Sequence, residues 1–375
     1  MSAALIDGRA TAPGTAGFAG RSASADPAHF RSAPQDLALS SIGLGTYLGG
    51  EDDPTDRGFE ESIGIALGCG VNVFDTAVNY RGERSERAVG RAVAAAIAAG
   101  AAAREELFVS TKGGFLPYDS TDSRSPEVQA RAAFFDTGIL SAPDVAAGCH
   151  AMSPQFLGEM IERSRRNLGL ATIDLYYLHN PETQLQAVSR QAFAGRLRRA
   201  IEVLEKAVEE GRIAAWGVAT WDALRVPASH PAHLSVAEIA AAARDVAGDG
   251  HHFAAVQAPI NLAMPQAIAY GSQPSRGRTV PLAAAAADAG LALFASASML
   301  QGRLVGVDLP EEVDALFAGV PAGAQRALQL PRSAAGVTSA LVGVSDPGHA
   351  RDTFGLARVP PADPDAIGRL FSASA

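Results

Sequence analysis

The sequence predicts a single-domain (β/α)8 barrel. Three observations lead there: from Leu39 onward short β-like runs alternate with helical stretches, the runs number eight, and the chain is long enough to hold eight such units in one domain. A chain of 375 residues, 47% apolar and 19% charged, has the length and composition of one such barrel or of two average domains. The competing architecture is an open doubly wound sheet. That sheet would carry GxGxxG after its first strand, whereas "GLGTYLGG" has Gly43 and Gly45 but Leu48 where the third glycine belongs. No GxxxxGK[ST] phosphate loop occurs either.

Residues 1–35, rich in Ala, Ser, Gly and Pro without a sustained period, read as an N-terminal arm laid over the barrel or left loose, and the barrel occupies 36–375. The strand candidates in order are "SIGLGTY" (41–47), "VNVFD" (71–75), "LFVSTK" (107–112), "IDLYYLH" (173–179), "IAAWGVAT" (213–220), "FAAVQ" (253–257), "LALFAS" (291–296) and "SALVGV" (339–344). Helices are expected between and after them, at 58–69, 84–99, 153–168, 196–210, 235–247, 280–289, 310–330 and 346–356. Two of these are well marked. Ser153-Pro154 reads as an N-cap with Pro at the first helical position, Phe156, Leu157, Met160, Ile161 and Leu168 follow at helical spacing, and Gly169 stands at C′. Leu197, Ile201, Leu204 and Val208 form a second apolar stripe, with Glu202 and Lys206 spaced for an i,i+4 pair and Gly211 ending the helix.

A net charge of -9 argues against binding a nucleic-acid backbone, which calls for concentrated Lys and Arg. The first twenty residues lack a basic stretch followed by an apolar one, and no apolar run approaches the roughly 20 residues of a spanning helix. A cytoplasmic chain with no membrane partner is expected. Cys69 and Cys149 make no disulfide framework and read as small buried hydrophobes. The histidines of "HPAH" (230–233) and "HH" (251–252) have no carboxylate or thiol at ligand spacing, so no metal site is expected.

In a barrel of this kind chemistry gathers where the strands end. The second strand ends at Asp75 with Tyr80 just beyond, the third at Lys112 and the fourth at His179. A phenol is a weak acid at neutral pH. A lysine beside it favours the phenolate, a buried lysine needs the countercharge that Asp75 supplies, and a histidine orients a carbonyl oxygen or relays its proton. Such a quartet suits proton delivery to an oxygen on which negative charge develops. Each residue also has an ordinary reading: a turn cap, a solvent-facing lysine, a core histidine, a packing aromatic. Compatibility at three successive strand ends favours the site.

These residues lie in an ordered series that resembles the aldo/keto reductase family over about 40–350: "GLGTY", "NVFDTAVNYRGERSERAVGRAV", "LFVSTKGG", "SRRNLGLATIDLYYLHNPE", "LEKAVEEGRIAAWGVAT", "VQAPINL", "MLQGRL" and "GVTSALVGVSDP". The resemblance implies a barrel that binds NADP(H), with NAD(H) as the alternative, and acts on a small carbonyl or alcohol substrate. It places a tetrad on Asp75, Tyr80, Lys112 and His179, with Tyr80 as general acid. By the same matching Gln257 meets the nicotinamide amide and Thr46 and Tyr47 lie near the cofactor. Glu86 matches an acid common in that helix, for which a salt bridge is the ordinary role. The chain departs from the pattern at Ala219-Thr220, where Ser-Asn is usual, at Ser296 for an aromatic and at Ser298 for a proline. It departs again at Ser345 and Thr353 for a basic residue and an asparagine, with Arg351 close by. Thr220, Ser296 and Arg351 are the cofactor contacts left at those places. A redox-neutral acid/base enzyme, or a relative that binds a nucleotide or partner without turnover, is the alternative. The long segment 113–152 after the third strand reads as a lid or substrate wall, with Tyr47, Tyr118, Phe134 and Phe135 as candidate pocket residues.

Overall fold

The computed structural model describes residues 4–309, 311–321 and 323–372. From residue 4 the arm is ordered. Thr11 caps α1 (Ala12–Arg21) through its hydroxyl, which accepts from the Gly14 N–H at 3.1 Å, with Pro13 in the first turn. An antiparallel hairpin follows, β1 (Phe30–Ala33) and β2 (Leu37–Ser40). Leu37 and Leu39 pack among Phe108, Leu175, Ala215, Ala292 and Phe294, most of which begin barrel strands. The hairpin therefore closes the N-terminal mouth of the barrel. Asn72 clips it in place: its Oδ1 accepts from the Ser40 N–H at 2.9 Å and its Nδ2 donates to the Ala38 carbonyl at 3.0 Å.

All eight expected runs become strands of one closed parallel barrel: β3 (Ile42–Gly45), β4 (Val73–Asp75), β5 (Phe108–Gly113), β6 (Leu175–His179), β7 (Trp216–Ala219), β8 (Phe253–Pro259), β11 (Ala292–Ser296) and β12 (Val337–Gly343). A small hairpin, β9 (Gln273–Ser275) and β10 (Arg278–Val280), lies outside it, and β12 pairs with β3 to close the ring. The main outer helices are α2 (Asp53–Gly68), α3 (Arg84–Ala98), α5 (Pro154–Leu168), α6 (Arg190–Glu209), α7 (Val236–Ala247), α9 (Leu282–Asp288), α11 (Ala324–Ser333) and α12 (Pro347–Gly355). Short helices α4 (Pro126–Ala130), α8 (Gln266–Ala269) and α10 (Glu311–Leu316), and the terminal α13 (Pro364–Ser372), complete the set among the described residues. No helix there is long and apolar enough to cross a membrane.

Period-two alternation gives each strand two apolar faces, as a parallel barrel demands. Val73, Phe108, Leu175, Tyr177, Ala255, Phe294 and Leu341 share the interior cluster, whereas Phe74, Val109, Tyr176, Leu178, Val218 and Val256 pack outward with the helices.

Several expectations need correction. The stretch expected as one helix over 310–330 is two, α10 and α11, because Gly319 and Gly323 take positive φ (86° and 83°) around Pro321; its first position, 310, lies outside the described residues. Ser153 occupies the N-cap of α5, but its hydroxyl makes no capping bond. Glu202 pairs with Arg198 and Lys206 with Glu210, each one turn from the expected match. Cys149 is exposed and Cys69 only partly buried, where both were expected in the core.

Candidate active site

Strand register explains the convergence. Asp75 stands opposite Ser110, Lys112 opposite Tyr177, His179 opposite Ala219, and Ala219 opposite Gln257. Residues two apart share a face, so Ser110 and Lys112 look into the barrel with Asp75 while Thr111 looks out. The upper end opens into a cavity of about 550 Å³ lined by Thr46, Tyr47, Asp75, Tyr80, Phe115, His179, Asn180, Thr220, Trp221, Gln257, Ser296 and neighbours.

Asp75 is the hub. Its Oδ2 accepts from Lys112 Nζ at 2.5 Å, and its Oδ1 accepts from Ser110 Oγ at 2.7 Å and from Gln257 Nε2 at 3.1 Å. Lys112 is fully buried and also donates to the Thr76 carbonyl at 2.8 Å. Burial pulls the Lys112 pKa down, opposed chiefly by Asp75. An ammonium has three donors, so one remains beyond these two bonds, and Nζ lies 5.1 Å from the Tyr80 ring centre.

Tyr80 packs edge-on against Tyr47 at 4.9 Å and His179 at 5.8 Å between ring centres. Burial, then Asp75 and Tyr47, hold its hydroxyl well above the ordinary phenol pKa, so at neutral pH it is a proton donor. Any pull of Lys112 toward the phenolate is outweighed by burial and by Asp75. Burial, then Lys112 and His150, push His179 well below the ordinary imidazole value and keep it neutral. Among the described residues its buried Nδ1 has no hydrogen-bond partner. Phe115 holds the ring edge-on at 5.0 Å.

Glu86 forms no salt bridge among the described residues. It is fully buried and accepts from Thr111 Oγ1 at 2.6 Å and Asn167 Nδ2 at 2.8 Å, tying α3 to the residue before Lys112. Burial raises its pKa.

The structure brings Asp75, Tyr80, His179, Thr46, Tyr47, Thr220, Gln257 and Ser296 to one cavity wall, with Lys112 beneath. Four expected residues fall elsewhere. Phe134 is buried against Phe156 at 5.3 Å in a satellite core of the insert, because its helical turn packs onto α5. Phe135, its neighbour on that turn, is exposed. Tyr118 donates to the Glu51 carboxylate at the rim instead of lining the cavity. Arg351 is exposed on α12, bonded to the Pro347 carbonyl at 3.3 Å. The segment 113–152 thus lends the cavity Phe115, its third residue. Sequence reasoning also passed over Asn79, Asn180, Trp221, Met299 and Gln301, all lining residues. Asn180 follows His179 in a left-handed conformation (φ 48°), a signal that the quoted "LHNPE" carries in its asparagine.

The residues present suit a dinucleotide in part. Among the described residues the Asn180 side chain makes no hydrogen bond, and it faces the cavity next to Ala219, where an amide contact is missing. Leu300, Gln301 and Gly302 take positive φ in succession (47°, 56° and 83°), a left-handed turn that places Gln301 and Gly302 on the cavity wall. Among the described residues no Lys or Arg lines the cavity; Arg303, next to that turn, is exposed.

The model of the Aldo/keto reductase family matches residues 41–243. Curated relatives include the NADH-specific methylglyoxal reductase of Escherichia coli (strain K12), 28% identical over 193 residues, 50% of each chain. Another is the D-threo-aldose 1-dehydrogenase of a Pseudomonas species, 30% identical over 154 residues, 41% of each chain. The match thus spans half or less of those relatives. Among solved structures, an aldo-keto reductase from Klebsiella pneumoniae in complex with NADPH superposes with TM-score 0.59 at 20% identity, over 91% of this chain and 94% of that one. The holo form of an aldo-keto reductase from Bacillus halodurans gives TM-score 0.59 at 18% identity, over 91% and 95%. At these identities the likeness is one of fold.

Proposed function

Because the chain belongs to the aldo/keto reductase family, we propose that it is an NAD(P)-dependent oxidoreductase interconverting the carbonyl and alcohol of a small aldehyde, ketone or sugar. NADP(H), or alternatively NAD(H), supplies or accepts the hydride when bound. Thr46, Asn180, Thr220, Gln257, Ser296 and the 300–302 turn would hold it, with Arg303 the cation that directly follows that turn. One observation carries the reading: the Tyr80 phenol and the His179 imidazole face one cavity above a buried lysine–carboxylate pair.

Each residue has a task. Neutral His179 orients the carbonyl oxygen without adding charge. Tyr80 transfers its proton to that oxygen as negative charge grows there, and the buried Lys112 ammonium, 5.1 Å from the ring centre, stabilises the tyrosinate left behind. Asp75 keeps Lys112 charged in a site that would otherwise discharge it. Tyr47, Phe115 and Trp221 exclude water and form the substrate wall. The two cysteines are free, in keeping with a reducing cytoplasmic setting.

The test joins a dinucleotide titration with a carbonyl-substrate screen. Tyr80→Phe keeps the fold and nucleotide binding and lowers kcat by about 10²–10⁴. Retention of most activity, or no binding of either dinucleotide to the wild type, overturns the reading.

A further inference from the structure

The insert 113–152 contributes one residue to the cavity wall, yet it reaches the site a second time from behind. His150, near its C-terminal end, is 1% exposed. Its Nε2 lies 2.8 Å from the carbonyl oxygen of His179, the residue that ends β6. Its Nδ1 lies 2.8 Å from Gln184 Nε2, and its carbonyl accepts from the same amide at 2.9 Å. The orientation of Gln184 is fixed in turn, because its Oε1 accepts from Arg196, a group that can only donate. Gln184 therefore presents NH₂ to His150, so Nδ1 must accept and the ring proton sits on Nε2, donated to His179. The direction of the bond is settled by chemistry at both ends.

Two further features are built around this bond. Phe115 stands edge-on to both histidine rings, 5.2 Å from His150 and 5.0 Å from His179. Gly114 has φ 154°, and a Cβ there would fall 2.7 Å from His150 Nε2 and 2.7 Å from the His179 carbonyl oxygen. Only a residue without a side chain leaves room for the contact.

We propose that His150 is a positioning residue for His179, the means by which the insert fixes the end of β6 and the imidazole it carries. Among the described residues the side chain of His179 has no hydrogen-bonding partner on its buried Nδ1. Its orientation is set by the backbone it hangs from and the rings around it, and His150 holds the first and abuts the second. The inference rests on the proposed role of His179 for its kinetic consequence; the bond itself does not.

The experiment has an arm for each. In uniformly ¹⁵N-labelled wild-type protein, His150 is expected as the neutral Nε2–H tautomer; the Nδ1–H tautomer, or an imidazolium at neutral pH, overturns the proposal whether or not any substrate is reduced. In kinetics, His150→Phe keeps the ring packing against Phe115 but donates nothing, Gly114→Ala wedges the pair apart, and His150→Gln restores both a donor and an acceptor. His150→Phe and Gly114→Ala are expected to lower kcat by about tenfold or more, with KM and dinucleotide affinity within about threefold, since a misplaced catalytic group affects the transition state more than binding. His150→Gln returns kcat to within about threefold of wild type. A role in folding alone predicts a lower melting temperature with kcat per folded molecule unchanged, and that result overturns the proposal. If His150→Phe does not fold, His150→Gln and the tautomer decide. A wild type that binds a dinucleotide but reduces no carbonyl refutes the functional reading while the tautomer still tests the bond.

Discussion

Replacing Asp75 by Asn removes the carboxylate facing a fully buried ammonium and changes little in shape. Three donors converge on that carboxylate, from Lys112, Ser110 and Gln257. An amide brings its own donors, so at least one of the three loses its acceptor, and Lys112 is left with neutral acceptors such as the Thr76 carbonyl and no countercharge. Removing one partner of a buried ion pair costs about 3–5 kcal/mol, because the remaining charge is uncompensated. At about 2.1 cal/mol/K per residue, unfolding 375 residues carries about 0.8 kcal/mol/K, so the melting temperature falls by about 4 to 6 °C.

The pH dependence carries a sign. Burial already lowers the Lys112 pKa from 10.5, and without Asp75 it falls further. Between the variant's folded pKa and that of the wild type the variant's folded state binds fewer protons, so its stability rises with pH and its deficit shrinks toward alkaline pH. The assay is thermal unfolding of wild type, Asp75→Asn, Lys112→Met and the double variant from neutral to alkaline pH. The double variant loses less than the sum of the singles by more than about 0.5 kcal/mol, the usual limit for independent sites. Strict additivity, or a deficit that grows with pH, refutes the account.

Carbonyl reduction holds steady through neutral pH and declines only above the ordinary phenol value near 10, whereas alcohol oxidation rises with pH, since Tyr80 is held protonated; steady-state profiles in both directions check this. Buried His29, lowered to about 3, binds no proton in the folded state until far below 6.5; its stabilising share is lost as pH falls from 6.5 toward 3, by about 1.4 kcal/mol per unit, so His29→Asn flattens the acid limb of a melting-temperature curve. Among the described residues the cavity wall has aromatic Tyr47, Phe115 and Trp221 and no Lys or Arg, so neutral aldehydes outrank carboxylated or phosphorylated ones of equal size in kcat/KM, the ratio read from a paired substrate panel. Asn180→Ala weakens dinucleotide binding by about tenfold, the loss of one hydrogen bond, and Thr220→Ala by less, because the Thr220 hydroxyl already accepts from the Leu224 N–H; fluorescence titration separates the two.

The barrel was legible because parallel strands buried on two faces must be short apolar runs, and eight of them recur between helices. The convergence of these side chains was legible for the same reason: once a strand end is placed, its closing residue is placed too, which is why Asp75, Lys112 and His179 come to one end of the barrel although 104 positions separate the first from the last. Direction within an element was harder. Thr111 and Glu86 look unremarkable until register turns Thr111 outward onto α3, where the acid expected in a salt bridge becomes a hydrogen-bond acceptor. Phe134 and Phe135 are adjacent and alike in sequence, yet one is core and the other exposed, a difference set by how their turn seats on α5. Loop aromatics carry no period from which to read that choice.

The two additions to the barrel act on opposite ends by the same physical route. The N-terminal arm looks featureless by period, but its hairpin satisfies edge groups through Asn72 and fills the lower mouth with Leu37 and Leu39. The insert meets the upper end through His150 and the His179 carbonyl. In both cases a side chain of one segment bonds the backbone of another, and a backbone acceptor has no identity that a sequence displays. Side-chain constellations are written in residue types, so the tetrad could be found before the fold was seen. The bonds that hold such a constellation in place are written in geometry, and Gly114 is a residue whose type records that such a bond was accommodated.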